Sequence, residues 1–172
     1  MPLDITIKMT LPKYGVFRNK KWLDKIRSEM KQNSVRELKG LFEKTVFGWS
    51  AEKKPRFAYD MIVTQDYVGL SMYPTGNGSD IWDLVSSGSP PHRIPARPGG
   101  LLKFRPGYRA ATIPGSIMSR RAYRSGPLLS ATQIQPHPGF EARKFPEQIE
   151  IEFYHTFVDQ MQRAVNEAAR GK

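Results

Sequence analysis

The chain of 172 residues contains no cysteine, which excludes disulfides, thiolate nucleophiles and cysteine-ligated metal centres. It has no apolar run approaching the roughly 20 residues of a bilayer span. Its opening, Met1-Pro-Leu-Asp-Ile5, lacks the basic-then-apolar order of an export signal. The expectation is a soluble protein made inside the cell, with no membrane partner. Acidic residues are missing from one long interval: between Leu84 and Phe140 there is no Asp or Glu. The same interval holds Arg93, Arg97, Lys103, Arg105, Arg109, Arg120, Arg121 and Arg124, in a chain of net charge +11. Such a field attracts polyanions, nucleic acid included, or an acidic face on another protein.

Histidine is scarce as well. His92, His137 and His155 lie far apart in the sequence, in neither HExxH nor any paired metal spacing. His92 and His137 adjoin prolines in turns, where loop hydrogen bonding is the simpler role. His155 falls on a helix beside Tyr154 and reads as packed or solvated. Gly76-Asn-Gly-Ser79 lacks the Lys-Ser/Thr of a phosphate loop, and no GxSxG elbow occurs. Asp80 and Asp83 are three apart, a spacing common on solvated turns. No catalytic, cofactor-binding or metal-ligating residue is assigned, and enzymatic activity is not expected. The basic stretch matches no zinc-finger, RNP or helix-turn-helix pattern, so contact with DNA would be at the phosphates and independent of sequence.

What is present is a small α+β domain spanning 1–172. Leu3, Ile5, Ile7, Met9 and Leu11 alternate with polar neighbours, the period of a half-buried strand. From Asn19 to Val46 the apolar period lengthens to three and four (Trp22, Ile26, Met30, Leu38, Leu41, Phe42, Thr45), as an amphipathic helix requires. Asn33-Ser34 interrupts it and predicts a kink, or a second helix capped by Ser34 with Glu37 in the capping-box position. The opposite face is basic, from Lys20 to Lys39. Phe57–Thr64 and Tyr67–Tyr73 read as a hairpin across Gln65-Asp66. Ile81–Val85 makes a short helix that breaks at Ser86-Ser-Gly-Ser-Pro-Pro91. Leu101–Phe104 and Leu128–Gln135 read as short strands. Between them, Pro106–Pro127 has no sustained period and predicts an extended hairpin arm carrying Arg120, Arg121 and Arg124. Pro146–Arg170 is a closing helix with Ile149, Phe153, Phe157, Met161, Ala164, Val165 and Ala168 on one stripe and Pro near its first position. The expected architecture is a small antiparallel sheet packed by the N-terminal helix and the long C-terminal helix, with a long basic loop or hairpin arm.

Two stretches carry a resemblance. Trp82-Asp-Leu-Val-Ser-Ser-Gly-Ser-Pro-Pro-His-Arg-Ile-Pro95 followed by Leu101-Leu-Lys-Phe104, and His137-Pro-Gly-Phe-Glu-Ala-Arg-Lys-Phe145, resemble the loop block and the later H-P-G turn of the small tail-component, or tail-completion (neck), proteins of long-tailed bacteriophages. The similarity covers roughly Trp22 to Arg170. Ser89 stands where that family usually has Thr, and Lys144 where Pro is common. The excursion Pro106–Pro127 is longer than the family pattern.

The resemblance implies a non-catalytic subunit of the virion neck, present in the host cytoplasm during assembly. Such a subunit forms a homohexameric ring between the portal-side connector (stopper) and the tail terminator or tube protein. It implies subunit-interface roles for Trp82, Ser89, Pro91, His92, Ile94, His137, Phe140 and Phe145. The role of the longer excursion does not carry over from the family; from the charge of the acid-free interval, contact with channel DNA or a partner is expected of Arg105, Arg109, Arg120, Arg121 and Arg124. A tail terminator is the near alternative, and a basic nucleic-acid-binding protein the alternative of another class.

Overall fold

The structure, a computed structural model, describes residues 5–11, 20–64, 66–93, 96, 100–105, 107–109, 116–117, 123–131 and 139–170. In chain order the elements are β1 (Ile5–Thr10), α1 (Lys20–Glu29), a π-helical turn (Met30–Ser34), α2 (Val35–Thr45), a 3-10 turn (Ala51–Lys53), β2 (Arg56–Val63), β3 (Tyr67–Thr75) and α3 (Ser79–Ser87). Four short strands follow, β4 (Leu102–Phe104), β5 (Gly107–Arg109), β6 (Tyr123–Ser125) and β7 (Leu129–Ala131), and then α4 (Phe145–Ala169).

The α+β expectation holds. β1, β3 and β2 form an antiparallel sheet with β3 in the middle. Register places Ile5, Met72 and Tyr59 in one cross-strand row and Ile7, Leu70 and Met61 in the next. Because side chains alternate across a strand, these rows share a face, and it is the buried one: Ile5, Ile7, Leu70 and Met72 are fully enclosed. The helices cover it. Trp22, Ile26 and Met30, then Leu38 and Phe42, and the α4 stripe Ile149, Phe153, Phe157 and Met161 close the same core.

The reverse face carries Thr6, Lys8, Ala58, Asp60, Ile62, Ser71 and Tyr73, and Ile62 is 41% exposed. On this face Thr6 Oγ1 donates to Ser71 Oγ at 3.1 Å. The charge of Asp60, and then its hydrogen bond, raise the Tyr73 phenol above its ordinary value, so it remains protonated. The β2–β3 turn is tied by Thr64: its Oγ1 accepts from the Tyr67 N–H at 3.1 Å, and its own N–H donates to Tyr67 O at 2.9 Å.

The interruption at Asn33-Ser34 is neither a break nor a cap. The rod runs on through the π-helical turn, with Ser34 in right-handed helical conformation and no capping bond from its side chain. The capping-box expectation is therefore corrected. Ser34 is wholly buried, and its Oγ donates to Gln160 Oε1 of α4 at 2.6 Å; Gln160 Nε2 in turn donates to Glu37 Oε2 at 2.7 Å. The tertiary bond outcompetes the local one. Ser34→Ala leaves Gln160 short of a donor at a half-buried site and is expected to cost about 1–2 kcal/mol by urea denaturation. The exposed Lys44–Glu152 pair, at 3.6 Å between the same two helices, contributes far less.

Candidate functional site

The two sequence blocks that carry the resemblance, some fifty residues apart, meet in the structure. α3 starts at Gly78, whose backbone lies so close to the loop before β2 that an added Cβ would sit 2.5 Å from Pro55 N. Its end is set by Gly88, at φ +78° and ψ −179°, a conformation that side chains resist. The chain then turns away so that Ser89 pairs with Phe140. The Ser89 N–H donates to Phe140 O at 3.0 Å, and the Phe140 N–H to Ser89 O at 2.9 Å.

Gly139 faces the Ser89–Pro90 peptide at φ +80°. An added Cβ there would lie 2.7 Å from the Pro90 carbonyl carbon and closer still to the Ser89 oxygen. The two glycines allow two backbones to touch where side chains would hold them apart.

The same junction joins the end of one helix to the start of another. The last carbonyls of a helix and the first N–H groups of the next both lack intrahelical partners. Here Val85 O accepts from the Arg143 N–H at 3.2 Å, and Ser86 O from the Lys144 N–H at 2.9 Å. The buried Ser86 Oγ accepts from the Phe145 N–H at 3.1 Å, at the first residue of α4. The negative end of α3 thus faces the positive end of α4. Beneath the junction Trp82 is buried completely, stacked on Phe42 (5.6 Å between ring centres, 17° between planes) and beside Phe145 (5.5 Å). Its Nε1 donates to Thr45 Oγ1 at 2.9 Å, and that hydroxyl donates to Phe42 O at 2.7 Å.

Trp82 and Phe145 therefore do not present a surface. Contrary to the expectation of a subunit-contact role, both are core residues, 0% exposed, that support the strap above them. Ser89 and Phe140 are half-buried and hold the strap; Pro91 and His92 are exposed on it. Ile94 and His137 lie outside the described residues.

His92 Nδ1 stands 2.9 Å from Pro90 O and 3.1 Å from Ser89 Oγ. A carbonyl only accepts, so this nitrogen carries the hydrogen, and it is not available as a base for the Ser89 hydroxyl. Among the described residues no group of three His, Asp or Glu side chains could hold a metal ion.

Lys144 sits at φ 52°, ψ 47°. Proline, locked near φ −65°, cannot adopt that geometry; the proline of this helix start is Pro146, in the first turn. Lys144→Pro is expected to lower stability by about 3 kcal/mol or more, read as a fall in melting temperature. It would also remove the N–H that caps Ser86 O.

The basic excursion begins and ends as a paired hairpin. β4 pairs with β7 (Leu102 opposite Ala131, Phe104 opposite Leu129), and β5 with β6 (Gly107 opposite Ser125, Arg109 opposite Tyr123). Between β6 and β7 Gly126 stands at φ +88°. Arg105 Nη1 donates to Gly126 O at 2.7 Å and pins it. Arg109 and Arg124 lie on facing strands of the second ribbon, one residue out of register, whereas Arg120 and Arg121 lie outside the described residues. The excursion is not surface throughout, for Ile117 is a buried member of the hydrophobic core.

Sequence reasoning missed Ser86, Lys144 and the Ser34–Gln160 bond, none of which has a local signature. Comparison of the chain with protein-family models, with curated proteins and with solved structures returns no match.

Proposed function

We propose that this protein is a structural subunit of a bacteriophage head–tail interface, a neck or tail-completion protein that assembles into a ring joining the portal-connector complex to the tail tube. The observation that carries the reading is the Ser89–Phe140 strap, in which the two blocks that resemble the neck family are bonded to each other over a shared aromatic support. A motif pair brought together by chance would have no reason to share a backbone bridge and two close-approach glycines.

The rest of the molecule is consistent with a ring subunit. The sheet has two edge strands, β1 and β2, to which a neighbour can add, and the hairpin of β4 to β7 is basic, as a wall around a DNA channel requires.

The test is assembly with the connector and tube proteins of the same particle. Purified protein is expected to form a ring visible by electron microscopy and to co-sediment with the connector. It should retain little free nucleic acid at physiological salt. Stoichiometric RNA or DNA binding by the monomer, weakening steeply as salt rises, would instead identify a nucleic-acid-binding protein. Binding to the tube alone would identify a tail terminator.

A further inference from the structure

Two surfaces of opposite sign stand on this chain, each with exposed apolar side chains at its centre. The first is the β4–β7 ribbon. Leu101 and Leu128 are 56% and 58% exposed, alongside exposed Lys103 and Arg105, in the interval that contains no acidic residue; Leu129, paired with Phe104, is 41% exposed on the face opposite Lys103. A two-stranded ribbon is marginal by itself in water, and one that displays three leucines gains most from being covered.

The second is the outer face of α4. From Phe145 to Gln162 this helix has Glu147, Glu150, Glu152 and Asp159 and no Lys or Arg. Its inner stripe is spent on the core, yet Ile151 (75% exposed), Tyr154 (45%) and the half-buried Val158 recur at three- and four-residue spacing on the other side. That spacing makes one continuous apolar strip, bordered by exposed Glu147 and Glu150. A single exposed isoleucine needs no explanation; an acid-edged strip matched by a base-edged one on the same chain does.

We infer that the β4–β7 ribbon of one copy docks on the outer face of α4 of a second copy. Leu101 and Leu128 would cover Ile151, Tyr154 and Val158, and Lys103 and Arg105 would face Glu147 and Glu150. The two patches differ, so the contact is head-to-tail and propagates, into a ring where the rotation closes and a filament where it does not. The contact supplies the subunit pairing for the ring proposed above; it rests on that reading only for closure.

Sedimentation velocity on the full chain tests it, with two variants at exposed positions: Lys103→Glu with Leu128→Glu on the ribbon, and Glu150→Lys with Ile151→Lys on the helix. The parent is expected to associate, and each variant to associate about tenfold more weakly or less, with an unchanged circular dichroism spectrum. An equimolar mixture of the two variants is expected to recover association, because the reversed ribbon meets the reversed helix and the parental ribbon the parental helix. A parent that stays monomeric at every concentration overturns the inference, as ribbon docking within a single chain would produce. It is equally overturned by variants that assemble like the parent, or by a mixture that stays apart. Charge-dependent association that ends in open filaments leaves this contact standing and removes the neck reading. A closed ring indifferent to both variants does the reverse.

Discussion

Replacing Trp82 by alanine is expected to remove a large share of the chain's stability. The side chain is fully enclosed, and its ring touches Phe42 from α2, Phe57 from β2 and Phe145 from α4, at 5.6, 6.2 and 5.5 Å between centres. It therefore joins three elements distant in sequence to the short helix that carries it. Truncating a buried tryptophan costs about 3–5 kcal/mol in lost burial and residual cavity, against a total of about 5–15 kcal/mol for a domain of this kind. Trp82→Phe separates the contributions: the ring contacts survive in part, and the Nε1 bond to Thr45 Oγ1 is lost. That bond is worth about 1 kcal/mol, because Thr45 still has Phe42 O to donate to. Urea denaturation of the two variants should give a clearly larger loss for alanine. Equal losses would mean that the hydrogen bond, not the ring, holds α3 in place.

Gly139→Ala should be strongly destabilising, and its damage should be local. Left-handed backbone costs a side chain about 1–2 kcal/mol, but that is the smaller part. The added carbon would press on the Ser89 oxygen and the Pro90 carbonyl carbon, which are backbone atoms with no rotamer by which to yield. The strap must therefore part, and with it the paired bonds between Ser89 and Phe140, for a total near 3 kcal/mol or more. Gly76→Ala is the matched control, since Gly76 also has φ +80° but an added Cβ would meet nothing within 4 Å. It carries the backbone cost alone. Amide exchange at Ser89 and Phe140 should accelerate in the Gly139 variant and not in the Gly76 one. Equal behaviour of the two would show that the close approach contributes nothing.

The elements legible in the sequence were those whose pattern is local. Ile149, Phe153, Phe157 and Met161 repeat every four residues, and they are the buried stripe of α4. The alternation in β1, β2 and β3 likewise fixes which residues face the core, although not that β3 is central, since strand order depends on pairings between distant segments. The illegible parts are those where a distant partner overrides a local preference. Ser34 reads as a cap, because serine beside asparagine usually is one, but Gln160, 126 positions later, takes its hydroxyl. Lys144 has no intrinsic taste for left-handed backbone; it is held there by the bond from its N–H to Ser86 O. Trp82 and Phe145 stand in motifs that suggest a surface role, but both are interior, packed beneath the strap. The charge of Arg105 suggests an outside partner, yet its guanidinium donates to a carbonyl of its own hairpin.

The π-helical turn at Met30–Ser34 has a further consequence, for the lengths this fold will accept. The buried positions Trp22, Ile26, Met30, Ser34 and Leu38 step by four, so on a regular helix each would drift about 40° from the last. The wider turn takes up one surplus residue and brings Leu38 and Phe42 back toward the core. Deleting one residue at this turn would restore a regular α-helix with its second half in nearly the same phase, whereas deleting one from the regular turns on either side would rotate the second half by about 100° and swing Phe42 away from Trp82. Variation in length among sequences of this kind should therefore concentrate in the loops, the hairpin and this one turn of the rod, where a surplus residue can be gained or lost without changing the phase of the two halves.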